Sequence, residues 1–524
     1  MSMTTRAPSA STPVSPDHRQ QTSRTSTRWE DRRLRWVVGL ALPAAYGVLA
    51  GVWTPRGPLT TFEALSAMVL ALVTGVGVGV ALRSRWAMLL GPVVFMGVFE
   101  LMRIGLSGAT VDGIHLGSAY GLMALSLGRG VHALLAVLPM VLGACLGAAL
   151  VRRRSQMTRE GGARAGIGLW SRRAVVAVTG VAVLALAVLL AQPASTAPVV
   201  DADGDVVPGS VAELTEVDVG EHDLAMMIRG ESTENPVLLF LAGGPGGSEL
   251  GAMRRHSEGL EKDFVVATLD QRGTGRSYDE LDPTETLTLD EAVADVVAVT
   301  EHLRDRFDEP KVYLVGQSWG TTLGVLAVQE RPDLFHAYVG VGQMVSQTAT
   351  DRIFYEDTLA WAREEERTDL VATLEENGPP PYDDVLAYEA ALSHEMEMYP
   401  YDHGPNSEGS GQMGENILVE EYSLLDKLHI FAATLDVFSV LYPQLEDIDF
   451  REQAARLDVP VYLAQGRHEA PGRQLLAEEW FASLDAPAKE LTYFETSGHR
   501  PLWEQPEEFQ DLMDRVLAET DPTG

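Results

Sequence analysis

Val312-Tyr313-Leu314-Val315-Gly316-Gln317-Ser318-Trp319-Gly320 decides the fold: an apolar strand runs straight into Gly-x-Ser-x-Gly, and Thr321–Glu330 follows with helical character. A serine on so sharp a strand-to-helix turn sits in strained backbone, and side chains larger than glycine collide on either side of it. The turn lifts the hydroxyl above the carboxyl end of the sheet, where open α/β sheets do their chemistry. Ser318 is the candidate nucleophile.

Outward from this turn, short β-branched runs alternate with helical segments from about residue 211, the pattern of a mostly parallel sheet with helices on both faces. Val217–Val219 and Leu224–Ile228, split by Gly220-Glu221-His222-Asp223, predict an opening hairpin. Val237–Leu241, Phe264–Leu269, Val312–Val315, Ala337–Val341, Val459–Ala464 and Leu491–Phe494 are the following strands, and Leu289–Phe307 carries an apolar helical stripe.

A serine hydroxyl needs a base, and the base an orienting acid, in this architecture in the chain order Ser, Asp or Glu, His. After Ser318, the strand Val459–Ala464 leads to Gln465-Gly466-Arg467-His468-Glu469, and Leu491–Phe494 leads to Glu495-Thr496-Ser497-Gly498-His499. Glu469 is the expected acid and His499 the expected base. His468 is a rival base, disfavoured because triad members come from separate loops. Asp270 is a rival acid that precedes Ser318 in the chain, and it is expected instead to help hold Arg272 and the loop Asp270–Ser277. For the oxyanion, the amide of Trp319 is one expected donor and that of Gly244, in Ala242-Gly243-Gly244-Pro245-Gly246-Gly247, the other. Pro245 and the lack of Gly-x-Gly-x-x-G argue against a dinucleotide site. No cofactor and no metal is called for.

Together, Gly243–Gly247, Asp270–Ser277, Gly316–Gly320, Gly466–Glu469 and Gly498-His499 resemble the motifs of the proline iminopeptidase branch of α/β hydrolases, in the right order over about residues 211–520. Ala242 stands where that branch has His, Gln317 where it has Gly, and Glu469 where it has Asp. The resemblance implies an α/β-hydrolase core over 205–342 and 458–522, a helical cap over 343–457, and cap carboxylates that hold a substrate's free amine. The acidic runs Glu364-Glu365-Glu366, Glu375-Glu376 and Glu420-Glu421 read mostly as a solvated face.

Nothing before residue 200 belongs to this resemblance. Residues 1–200 hold 19 Arg, no Lys and 7 acidic residues, whereas the remainder holds 21 basic and 67 acidic ones. An acidic domain repels phosphate backbones, which excludes nucleic acid as a partner class. The single cysteine, Cys145, builds neither a disulfide nor a Cys-based metal site. Residues 1–30 read as a disordered cytoplasmic tail, and 31–195 as a multi-pass transmembrane region of about five helices: Trp36–Trp53, Ala64–Leu82, Trp86–Leu101, Val131–Val151 and Ala174–Ala191. Ile104–Leu127 reads as a re-entrant or interfacial segment, and Glu100 and Arg103 as residues snorkelling at a span end. The arginines before the first span, between the second and third, and between the fourth and fifth all fall on one side of a five-span arrangement. The hydrolase domain is then extracytoplasmic on a cell membrane. Ala194-Ser195-Thr196-Ala197 imitates a signal cleavage site, but its place late in the chain favours an anchor.

The residues therefore point to a serine hydrolase with a Ser-His-Glu triad and an acyl-enzyme mechanism, and the resemblance to small peptide or amide substrates with a free amino terminus. An esterase of small or lipophilic acyl esters and a non-catalytic receptor with a hydrolase-fold ligand domain stand as alternatives. Oligomeric state is not legible.

Overall fold

A computed structural model of the chain describes residues 18–157, 167–382, 384–399 and 413–520. Its contacts divide it into two compact units. One comprises Met1–Pro55, Ser66–Met102 and Leu134–Leu184, and the other Arg56–Leu65, Arg103–Ala133 and Ala185–Gly524. Two segments of the apolar half thus group with the sheet-bearing residues rather than with the helices they connect.

The first unit is built on α1 (His18–Trp53), α2 (Thr61–Leu82), α3 (Ala87–Met102), α4 (Ala119–Leu125), α5 (Leu138–Met157) and α6 (Ile167–Leu190), of which α4 and the ends of α2 and α6 fall in the second. Residues 18–30, expected in the disordered tail, are helical; no Pro or Gly interrupts them, so the helix of the apolar segment propagates back through them. The rest of the expected tail, residues 1–17, lies outside the described residues. Tyr46 of α1 stacks on Phe95 of α3 at 4.8 Å. Glycines bring α2 and α5 together: a Cβ at Gly75 would meet the Met140 carbonyl at 2.0 Å, and one at Gly143 the Leu72 carbonyl at 2.1 Å. Among the described residues, four helical stretches are long and apolar enough to cross a membrane: Asp31–Trp53, Thr61–Leu82, Ala119–Arg152 and Arg173–Leu190. Ala87–Met102, expected as a span, is a shorter apolar helix. Arg103 is buried rather than snorkelling, and donates to the Thr110 carbonyl at 3.2 Å.

The second unit contains, among the described residues, an eight-stranded sheet: β1 (Val211–Asp218), β2 (Asp223–Gly230), β3 (Val237–Leu241), β4 (Val265–Leu269), β5 (Val312–Gln317), β6 (Phe335–Val341), β7 (Val461–Gly466) and β8 (Lys489–Phe494), in the order β1-β2-β4-β3-β5-β6-β7-β8. The β1–β2 hairpin is antiparallel, as is its junction to β4, and every pairing from β4 to β8 is parallel. Strand β7 starts two residues later than expected because Pro460 has no N–H for the ladder; its carbonyl instead accepts from Tyr338 N at 2.9 Å.

Both faces of the central strands are buried, so they read as continuous apolar runs. The helix Leu289–Phe307 is capped by Thr288, which accepts from Glu291 N, and buries Val293, Val296, Val299 and Leu303 on one stripe. Trp480, Trp503, Tyr313 and Phe240 are among the largest side chains sealed in this core, each adding about 2–3 kcal/mol of apolar burial. Between β6 and β7 the chain leaves the sheet to form helices including Gln347–Glu364, Tyr388–Leu392, Glu395–Met398 and Leu424–Leu441. The last begins with a reciprocal capping box between Ser423 and Asp426. These helices stand over the carboxyl ends of the strands and make the roof of the site. Glu364, Glu365, Glu366, Glu375 and Glu376 are exposed, whereas Glu421 is buried beside Arg254 at 3.4 Å.

Candidate active site

Ser318 caps the end of β5 and the start of the helix Trp319–Glu330, with φ +52° and ψ −118°. Such a backbone is costly for a non-glycine residue and is held by its surroundings. Ser318 N donates to the Val341 carbonyl at 3.0 Å, and the neighbouring glycines admit no side chain: a Cβ at Gly320 would lie 2.2 Å from the Leu241 carbonyl.

The loops after β7 and β8 bring Glu469 and His499 together. His499 Nδ1 lies 2.5 Å from Glu469 Oε2. This contact fixes the tautomer: Nδ1–H donates to the carboxylate, leaving Nε2 as an acceptor. The loops meet because glycine permits it, since a Cβ at Gly466 would stand 1.9 Å from the Gly498 carbonyl. The Glu469 side chain is fully enclosed, its Oε1 accepting from Ala470 N at 2.7 Å and from Arg473 Nε at 2.8 Å. Burial alone would raise the Glu469 pKa, but the Arg473 charge and the interaction with His499 outweigh it and bring it to about 2. Among the described residues no hydrogen bond joins Ser318 Oγ to His499, a contact that in substrate-free sites often tightens only on binding. Instead Gln317, one residue before the serine, donates to the His499 carbonyl at 3.3 Å.

The rival residues lie elsewhere. His468 is exposed while His499 takes the carboxylate. Asp270 is buried, accepting from Tyr422 Oη at 2.6 Å and Arg276 N at 3.0 Å, and burial pushes its pKa up to about 6. It therefore holds its loop, but it does not hold Arg272 as expected: that guanidinium pairs with Asp295 at 2.9 and 2.6 Å.

On the oxyanion side, Gly244 has φ +136° and shares a cavity of about 150 Å³ with Ser318 and Trp319. Sequence reasoning missed what fixes this loop. Gln271 donates to the Ala242 carbonyl at 2.9 Å and accepts from the Trp319 indole at 2.8 Å, so one amide ties the glycine loop to the Ser318 turn. Gly243 N donates to Glu249 Oε2 at 2.8 Å, and burial pushes Glu249 up to about 7. The cap lines the cavity with Met344, Phe354, Leu392 and Phe438, and with the polar groups of Gln347, Asp351, Glu395 and Tyr442. Asp351 accepts from Tyr442 Oη at 2.7 Å and Gln347 Nε2 at 2.9 Å, and burial raises its pKa to about 6. Arg473, also on the cavity wall, bridges Glu469 of the core to Glu395 of the cap. Its spacing of four residues from Glu469 across a helix start was a visible signal; the cap residues carried none.

Residues 236–506 match the family described as alpha/beta hydrolase fold. A probable aminopeptidase of Bacillus subtilis, YbaC, is 29% identical over 310 residues, covering 58% of this chain and 96% of that protein. A probable proline iminopeptidase of Leptolyngbya boryana is 30% identical over 140 residues, 27% of this chain and 41% of that one. The solved proline iminopeptidase of Mycobacterium smegmatis is 18% identical with a TM-score of 0.43, over 59% of this chain and 99% of the other.

Proposed function

The chain belongs to the α/β-hydrolase fold family, and from that premise we propose that it is a membrane-anchored serine hydrolase that releases residues from small peptides or amides with a free amino terminus. Ser318 is the nucleophile, His499 the base and Glu469 the orienting acid. The observation that carries the reading is the 2.5 Å His499–Glu469 contact on loops beside a serine held at φ +52°. In the reaction Ser318 Oγ attacks the substrate carbonyl carbon while His499 Nε2 takes the hydroxyl proton. Negative charge gathers on the carbonyl oxygen, where the amides of Trp319 and Gly244 donate. Collapse breaks the C–N bond, the amine leaves with the proton from Nε2, and water attacks the acyl-serine by the same route in reverse.

Selection for an amino terminus is supported by Asp351 and Glu395, carboxylates in the cavity that also holds Ser318. The aminopeptidase relative is consistent with it. Membrane anchoring is supported by the four long apolar helices, with Val175, Val178, Val181 and Leu184 of α6 exposed; if the shorter apolar helix α3 makes a fifth passage, the arginine clusters all fall on the side opposite the hydrolase. The test is labelling by a fluorophosphonate together with turnover of an aminoacyl-arylamide and a short acyl ester. Labelling lost in Ser318→Ala and preference for the arylamide are expected. An unlabelled protein would refute the serine mechanism, and preference for the ester would refute the amine selectivity.

A further inference from the structure

Two segments that connect apolar helices group with the hydrolase: 56–65, between α1 and α2, and 103–133, after α3. A simple anchor has no use for this. Their contacts converge on the cap helix Leu424–Leu441 and its neighbour Tyr388–Leu392.

Asp436, on the longer helix, is wholly enclosed. Its carboxylate accepts from Thr110 N at 2.9 Å, Thr110 Oγ1 at 2.6 Å and Tyr278 Oη at 2.8 Å, with Arg56 Nη1 at 3.6 Å. Arg56 in turn grips Asp282 with Nε at 2.8 Å and Nη2 at 3.0 Å. About two turns earlier on the same helix, His429 stacks on Tyr278 at 4.5 Å and hydrogen-bonds the Pro58 backbone. The second helix is held separately: Glu389 accepts from Ala119 N and Tyr120 N, both at 2.9 Å. Every one of these cap groups finds its partner in the two connecting segments or in the loop after β4. A buried carboxylate is costly unless so paired, which makes the docked arrangement strongly preferred.

The opposite faces of the same helices form the cleft. Residues two apart on a helix point to nearly opposite sides, so Asp436 faces the connecting segments while Phe438 lines the cavity with Tyr442. Tyr388, beside Glu389, packs edge-on against Tyr442 at 4.9 Å. The oxyanion loop rests on this helix too: a Cβ at Gly246 would lie 2.3 Å from the Ala433 carbonyl.

We propose that segments 56–65 and 103–133 are working parts of the hydrolase, bracing the two cap helices through Asp436 and Glu389 so that the cavity wall stands at the height substrate binding needs. Arg56, Thr110, Glu389 and Asp436 are thus positioning residues, and the inference rests on the serine-hydrolase reading above. The test uses the full chain in detergent, with Thr110→Val, Arg56→Gln and Glu389→Gln beside Thr110→Ser. Fluorophosphonate labelling reports the triad, and steady-state hydrolysis of an aminoacyl-arylamide reports the cleft. The expected result is labelling within about twofold of wild type, KM raised about fivefold or more with a smaller fall in kcat, and recovery in Thr110→Ser, which keeps the hydroxyl. Labelled variants with KM and kcat unchanged would overturn the brace alone. Loss of labelling in all three would overturn it too, because the groups would then hold the fold rather than the wall. An unlabelled wild type would overturn the hydrolase reading, and the brace with it.

Discussion

Arg473→Gln tests the most charged joint in the site. Arg473 donates to Glu469 Oε1 at 2.8 Å and to Glu395, and the Glu469 carboxylate has no exposure to water. Glu469 is brought from 4.5 to about 2 although burial pushes it the other way, with Arg473 the foremost of the charges responsible. That depression corresponds to about 3 kcal/mol of preference for the ionised acid in the folded protein. In the unfolded chain the acid protonates near pH ~4.3, in the folded chain only near 2, so this stability is present above about pH 5 and lost as pH falls toward 2. Without Arg473 only His499 is left to oppose the effect of burial, so the folded value rises toward the unfolded one and most of the contribution disappears. The expected result is a loss of about 3 kcal/mol at neutral pH that shrinks steadily below about pH 4.5. Guanidinium unfolding of the full chain at several pH values measures it, with the buried Trp480 and Trp503 as fluorescent reporters. A loss independent of pH, or below about 1 kcal/mol at neutral pH, would refute the reasoning.

Ser318→Ala should fold with unchanged melting behaviour and lose turnover by about a thousandfold or more, checked by arylamide hydrolysis and probe labelling. Glu469→Gln should cost about as much, because an amide no longer demands the Nδ1–H tautomer of His499; wild-type rates would contradict the assigned acid. Gly466→Ala should separate the acid and base loops, since its Cβ would meet the Gly498 carbonyl at 1.9 Å, lowering kcat at least tenfold, as steady-state kinetics would report. Asp351→Asn should raise KM for aminoacyl-arylamides and not for acyl esters. In the parent protein the same KM should climb as pH drops through about 6, where Asp351 takes up its proton; a flat KM between pH 5 and 7.5 would remove Asp351 from amine recognition.

The core was legible because its grammar is local. The run Val312–Gly320 couples an apolar strand to a turn that only glycines tolerate, and Glu469 and His499 each follow a strand end. The boundaries shifted where backbone chemistry intervened, as at Pro460. The cavity wall was not legible. Asp351, Phe354 and Phe438 sit on amphipathic cap helices where nothing in the spacing separates a lining residue from a packing one. The partnership of Arg56 and Thr110 with Asp436 joins residues more than three hundred positions apart, and charged or hydroxyl side chains in polar loops ordinarily face water. Arg272 was misplaced for a related reason: its partner Asp295 lies on a helix, outside the motif in which the arginine was read.

The chain just past α6 is stitched down almost at once: Ser195 N donates to the Glu420 carbonyl, Thr196 Oγ1 to Glu421, and Arg229 to the Ala197 carbonyl. A leash of loose residues would let a tethered enzyme sweep a wide arc and reach bulky or distant targets. Residues 195–197 have no slack of that kind, since each is bonded to the sheet-bearing unit within a few positions of the helix end. The same stitches deny a processing peptidase the slack polypeptide that it has to thread, so cleavage at Ala194–Ala197 would first require this hem to be unpicked.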